Sequence, residues 1–144
     1  MKRTLIITAL LLASFLAKAS YIVIPMDEKQ KDHLKSYGIV YWVLENDQEA
    51  YWMLNYKGGS FAFTNIPSFE KECKTRGISY EIIPNAQFAQ LRQKIANPEV
   101  NQDVIKLEKA PKIAVYTPDF NAKGERIQPW DDAVTMVLTY AEIP

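Results

Sequence analysis

Apolar positions along the chain fall into short runs separated by polar, Gly- or Pro-containing breaks. Tyr21-Ile-Val-Ile24 is a β-branched run stopped by Pro25, and it reads as a strand. Asp27 is placed to cap a helix from Glu28 to about Tyr37, with Gln30 three residues on and Gly38 as its C-terminal stop. Ile39–Leu44 and Ala50–Tyr56 are apolar, aromatic-rich runs around the polar Glu45-Asn-Asp-Gln-Glu49. That arrangement predicts an antiparallel hairpin with a long, charged turn. Lys57-Gly58-Gly59 turns the chain again, and Ser60–Phe63 adds a short third strand.

Further along, Ser68 is placed to cap a helix over Phe69–Arg76, ended by Gly77. Ile78–Ile83 reads as a strand closed by Pro84. Asn85 then caps a helix in which Phe88, Leu91 and Ile95 recur at i, i+3 and i+7, and Asn97-Pro98 ends it. Residues 98–110 mix charges with Pro98 and form a connector, with a short strand at Val104–Leu107. Pro111–Tyr116 reads as a buried strand, Thr117–Trp130 as a loop and Asp131–Ala141 as an apolar helix. This is the opening of a βαβ unit. A parallel strand cannot bury both faces without neighbours, so the segment is expected to belong to a longer protein. The fold class is α+β or mixed α/β: a small mixed-sheet domain over 20–97, then the connector, then the first strand and helix of a further β/α domain over 111–144. No internal repeat, low-complexity tract or heptad pattern interrupts this order.

The first nineteen residues carry the pattern of a secretory signal peptide. Lys2 and Arg3 precede the apolar run Leu5–Leu16, and Ala17-Lys18-Ala19 fits the small-x-small cleavage pattern. The apolar run is too short to span a bilayer core, which needs roughly 20 residues. Lys2, Arg3 and Lys18 leave with the signal. That reduces 17 basic residues to 14 against 17 acidic, a net charge of −3. Such a surface has no electrostatic reason to seek nucleic acid or an anionic membrane. The aromatic content is enough for a genuine core, which excludes a disordered chain. Cys73 is the only cysteine, so no intramolecular disulfide forms. It lies four residues after Phe69, on a shared helix face, which predicts a buried, inert thiol.

Candidate chemistry is sparse. His33 is the only histidine, set among Lys, Asp and Gln; its i+4 neighbour is Tyr37, so no His pair is available for a metal. Asp131 and Asp132 follow Pro129-Trp130 at the predicted helix start, where the helix dipole favours acids; their side chains point about 100° apart, too far to share a proton. Lys57-Gly58-Gly59-Ser60 lacks the spacing of a phosphate loop and precedes a strand-like run, so it reads as a turn. Tyr41, Trp42, Tyr51, Trp52 and Tyr56 form an aromatic cluster expected to pack in the core of an antiparallel sheet; on an exposed sheet face it would instead stack sugars or peptides. Strand alternation limits such a platform to half of them.

Tyr21-Ile-Val-Ile-Pro-Met-Asp27, Leu54-Asn-Tyr-Lys-Gly-Gly-Ser-Phe61, Leu107-Glu-Lys-Ala-Pro-Lys-Ile-Ala-Val-Tyr116, Gln128-Pro-Trp-Asp-Asp-Ala-Val-Thr135 and Tyr140-Ala-Glu-Ile-Pro144 together resemble a family of exported proteins from Bacteroidota labelled asparagine synthetase B. The resemblance covers most of residues 20–144. It implies a longer polypeptide that continues into a flavodoxin-like domain similar to class I glutamine amidotransferases. The chemistry in the label does not match the residues. Glutamine-dependent asparagine synthetases use a Cys exposed at position 2, where this chain has Lys2, and an SGGxDS-type loop, whereas Gly58-Gly59-Ser60 lacks the following Asp-Ser. A class I amidotransferase nucleophile would follow a later strand, beyond Pro144.

The expectation is therefore a non-catalytic binding or accessory module of an exported envelope protein. It has no catalytic, cofactor-binding or metal residues of its own; its partner is a protein or carbohydrate ligand, with no nucleic acid and no membrane span after signal cleavage. The alternative is a lid or accessory part of a hydrolytic amidotransferase-like enzyme. N-terminal sequencing of the expressed protein is expected to begin at Ser20 in a periplasmic or envelope fraction; an intact Met1 in the cytosol would contradict export.

Overall fold

The computed structural model describes residues 19–116, 119–126 and 133–144. Five strands, β1 (Ser20–Ile24), β2 (Ala50–Leu54), β3 (Ser60–Thr64), β4 (Glu81–Pro84) and β5 (Asp103–Leu107), form one sheet in the order β4-β1-β3-β2-β5. Every pairing is antiparallel, and β4 and β5 are the edges. Four helices complete an α+β domain: α1 (His33–Glu45), α2 (Pro67–Thr75), α3 (Asn85–Ile95) and α4 (Ala133–Ala141). The connector strand expected at Val104–Leu107 is thus an integral edge of the sheet.

Side chains alternate across the strands, so β1 and β3 bury residues on both faces. Ile22, Ile24, Phe61 and Phe63 point to one side, where they meet Ile39, Val40 and Val43 of α1 and Phe69 and Cys73 of α2. Val23 and Ala62 point to the other side and meet Phe88 and Ile95 of α3, with Met53 and Ile83 beside them. The sheet is therefore sandwiched, with two apolar cores separated by its own backbone.

The largest correction concerns residues 28–44. The expected helix over Glu28–Tyr37 and the hairpin strand Ile39–Leu44 are replaced by a turn and the single helix α1. Asp27 caps nothing helical; its Oδ1 accepts from Lys29 N–H at 3.1 Å in a local turn. Asp32 is the true cap, accepting from Lys35 N–H at 2.9 Å. Gln30, expected in a capping box, is buried and holds the loop before α1 to the loop before β4. Its amide donates to Pro25 O (2.9 Å) and Ser79 O (3.1 Å), and its oxygen accepts from Ser79 N–H (2.9 Å). Within α1 the buried positions Ser36, Ile39, Val40 and Val43 recur at i, i+3, i+4 and i+7. Ile-Val-Tyr-Trp-Val-Leu has the composition of a strand, but only one side of it is buried at helical spacing, and tertiary burial overrides propensity.

Smaller corrections follow from caps. Ser68 does not cap α2: the helix begins with Pro67 at its first turn, after Ile66. Asn85 is the first residue of α3, not its cap, and its N–H donates to Ala19 O at 3.0 Å. Residues 111–116 run without ladder pairing and leave Ile113 41% exposed, so the buried strand expected there is not formed. The helix expected over Asp131–Ala141 is present as α4; Asp131 and Asp132 lie outside the described residues.

Cys73 is fully buried, as its spacing from Phe69 predicts, and burial pushes its thiol up to about 12. A thiolate is thereby excluded from the folded core near neutrality. The stability tied to the neutral thiol is present below the unfolded-state pKa near 8.5 and is lost as pH rises towards 12. Thiol labelling at pH 8 is expected to be slow in the native protein and to accelerate sharply in denaturant. Fast native labelling would place Cys73 at the surface.

Candidate functional site

On its face of the sheet α1 covers β1, β3 and the Ala50 end of β2, and leaves Trp52 of β2 and Ile105 of β5 exposed. The uncovered strip is an open groove of about 490 Å³. Tyr37, Val40, Tyr41 and Leu44 of α1 form one wall, and Trp52, Phe61 and Leu107 of the sheet form the floor. The chain leaving β5 bends over the end of the groove, bringing Pro111 and Ile113 to its rim. The Tyr41 hydroxyl donates to Pro111 O at 3.3 Å and fixes that bend. Phe61 organises the floor: Trp52 stacks on it (centroids 6.2 Å, planes 18° apart) and Tyr37 meets it edge-on (5.6 Å, 74°). Trp52 and Tyr37 remain exposed. The lining is aliphatic and aromatic, with two phenol hydroxyls, the Trp52 indole N–H and the Lys109 ammonium as its polar side-chain groups.

A second hollow, of about 310 Å³, adjoins the first and shares Ile113 and Ile143 with it. It lies between Val115 and the Leu138 side of α4. Met136 and Val137 of α4 are exposed as well.

α4 is positioned by contacts at its C-terminal end. Gly38 lies in the middle of α1, and a Cβ there would stand 1.7 Å from Ala141 O and 3.1 Å from Arg76 Nη1. Glycine therefore seats the end of α4 against α1. The Arg76 side chain, 7% exposed, pairs with Glu72 at 2.9 Å and with Glu142 at 3.0 Å, and Nη1 donates to Ala141 O at 3.4 Å. A guanidinium at a helix C-terminus meets its unsatisfied carbonyls and the negative end of its dipole. Beyond Ala141, Glu142 takes a left-handed conformation (φ 58°), and Ile143 N–H returns to Leu138 O at 2.9 Å. This C-cap usually employs Gly. Here it carries the Glu142–Arg76 pair and turns Ile143 into the groove.

On the other side of α4, the Tyr140 hydroxyl donates to Asp32 Oδ2 at 2.5 Å, and Lys35 Nζ lies 5.1 Å from the Tyr140 ring centroid. Burial pushes the Asp32 carboxyl up, but the bonds from Lys35 N–H and the Tyr140 hydroxyl, with the Lys35 charge, outweigh it and hold it below the usual carboxylate range. The hydrogen bond to Asp32 raises the Tyr140 hydroxyl in turn. α4 is thus held by a polar clasp, with much of its apolar surface left to solvent.

The aromatic cluster is divided between packed positions and the groove. Tyr41 and Trp52 line the groove, whereas Trp42 packs edge-on against Phe69 of α2 at 5.2 Å. Tyr51 lies on the opposite sheet face against Phe88 (5.3 Å) and beneath Arg92 (5.1 Å), with Tyr56 on the same side. His33 is exposed at the start of α1, where Nε2–H donates to Met26 O at 3.1 Å. Lys57-Gly58-Gly59-Ser60 is the β2–β3 turn: Gly58 has φ 78° and passes so close to Met26 that a Cβ would stand 2.2 Å from its carbonyl oxygen. The Ser60 hydroxyl is buried and donates to Tyr56 O at 2.9 Å. Among the described residues no group of three or more His, Cys, Asp or Glu side chains is placed to hold a metal ion.

Gly38, Arg76 and Tyr37 each sit at a predicted helix end and carry structural roles that their positions in the sequence concealed. A glycine followed by an uninterrupted apolar run of helical burial was the available signal. No family model, curated protein or solved structure matches the chain.

Gly38→Ala tests the seat of α4. Alanine favours an isolated helix by about 1 kcal/mol, yet overpacking costs about 1–3 kcal/mol, so the balance falls on destabilisation. Urea unfolding is expected to show that loss, and hydrogen exchange is expected to speed up in 133–141 while β1 and β3 stay protected. A stabilised variant with unchanged exchange would contradict the seat.

Proposed function

We propose that this chain is a non-catalytic accessory module of an exported envelope protein, and that its groove and the adjoining 113–143 surface pack against a further α/β domain of that protein. The observation that carries the reading is an apolar surface running from Trp52 and Tyr37, across Ile113 and Ile143, to Val115 and Leu138. Large contiguous apolar surface marks a partner site in a folded domain. Aromatic residues with few charges are the composition of an interface core.

A protein partner suits this groove better than a carbohydrate. A sugar ring needs amide or carboxylate side chains beside the aromatic face to satisfy its hydroxyls, and the groove lining contains neither. The exposed apolar residues of 111–144 also favour a sheet-bearing partner, because Pro-Lys-Ile-Ala-Val-Tyr116 has the composition of a buried strand. Export rests on the leader pattern of residues 1–19. Among the described residues no helix is long and apolar enough to cross a membrane.

Ile113→Lys with Val115→Lys in the mature chain separates a docking surface from an internal core. The unfolding free energy is expected to stay within about 0.5 kcal/mol, as for ordinary surface changes. Binding of an apolar fluorescent dye is expected to fall. A loss above about 2 kcal/mol would show that these side chains serve the module's own core.

A further inference from the structure

A separate cleft of about 220 Å³ lies on the α3 side of the sheet, away from the groove. Val23 of β1, Ile83 of β4 and Leu91 of α3 give it an apolar floor, and Tyr56 stands at one side. Gln87, Gln90 and Lys94 line the other, one above another along α3 at i, i+3 and i+7. The side chains of these three make no hydrogen bond or ion pair with the described residues. Glu81 completes the rim and is held by Lys57 at 3.2 Å, whose ammonium also lies 5.8 Å from the Tyr56 ring centroid.

We propose that this cleft binds a single neutral sugar ring. Its volume is below the roughly 300–1,000 Å³ of sites for drug-sized ligands, which limits the occupant to about one ring. A pyranose has an apolar C–H face and a girdle of hydroxyls that both donate and accept. The apolar floor receives the first. The second meets two amides able to donate and accept, a carboxylate that accepts and an ammonium that donates. The Lys57 pair fixes the Glu81 acceptor before the ligand arrives, which lowers the ordering cost of binding. A wholly apolar ligand would strip water from Gln87 and Gln90 without replacing it, and a phosphate would meet the Glu81 carboxylate. This site is independent of the docking surface proposed above.

The test is saturation-transfer NMR on the mature chain with methyl glucoside, methyl galactoside and N-acetylglucosamine, with glucuronate and inorganic phosphate as charged comparisons. At least one neutral pyranoside is expected to receive saturation, strongest at its ring C–H protons. Gln87→Ala with Gln90→Ala is expected to weaken binding at least about tenfold, the equivalent of two neutral hydrogen bonds. Both positions are exposed, so the thermal midpoint of that variant is expected to be unchanged. The assignment is overturned if no neutral sugar binds, or if the double variant binds as tightly as the parent. It is also overturned if only glucuronate binds and Lys94→Gln abolishes that binding.

Discussion

The organising constraint is that β1 and β3, at the centre of the sheet, must bury both faces. Ile22, Ile24, Phe61 and Phe63 on one side, and Val23 and Ala62 on the other, require helical cover above and below. Burying each large apolar side chain is worth about 1.5–3 kcal/mol. Ile39, Val40, Val43 and Leu44 therefore stabilise the domain far more as one face of a helix over β1 and β3 than as an additional strand with one wetted face. The same demand on the opposite side is met by Phe88 and Ile95 of α3.

What the helices leave uncovered follows from that arrangement. α1 centres on β1 and β3, so β2 and β5 keep Trp52 and Ile105 exposed and the groove opens between them and α1. α3 lies over β1 and β3 from the other side, and a smaller, more polar cleft opens beside it. The two hollows differ in chemistry because their helices do: α1 faces its groove with Tyr, Val and Leu, whereas α3 faces its cleft with Gln and Lys. α4 adds a further apolar surface without contributing to either central core. It is held by Gly38, Arg76 and Asp32, contacts that act at one end and leave Met136 and Val137 to solvent.

Much of this was legible in the residues. The strand Tyr21–Ile24 ended by Pro25, the Gly58-Gly59 turn and the Phe88/Ile95 helix rest on local chemistry that tertiary packing does not override. The Phe69–Cys73 spacing likewise placed the thiol in the core. Residues 28–44 were not legible, because the pattern places the cap at Asp27, whereas the residue that caps the helix, Asp32, stands five positions on. Gly38 resembles a helix stop, but it is an interior residue kept small for a carbonyl more than a hundred positions later. Nothing local signals that contact. A hairpin strand over Ile39–Leu44 would divide the aromatic cluster by alternation alone. On a helix Tyr41 joins Trp52 at the groove while Trp42 packs on Phe69, and Tyr37, outside that cluster, completes the site.

The most direct measurement is backbone and methyl NMR of the protein across Ile39–Leu44. The account predicts helical Cα shifts throughout this stretch, with nuclear Overhauser contacts from Val40 and Leu44 methyls to Phe61 and Leu107 across the groove. Strand-like shifts, with cross-strand contacts pairing Ile39–Leu44 to Ala50–Tyr56, would contradict it. They would restore a hairpin and remove the wall on which the groove depends.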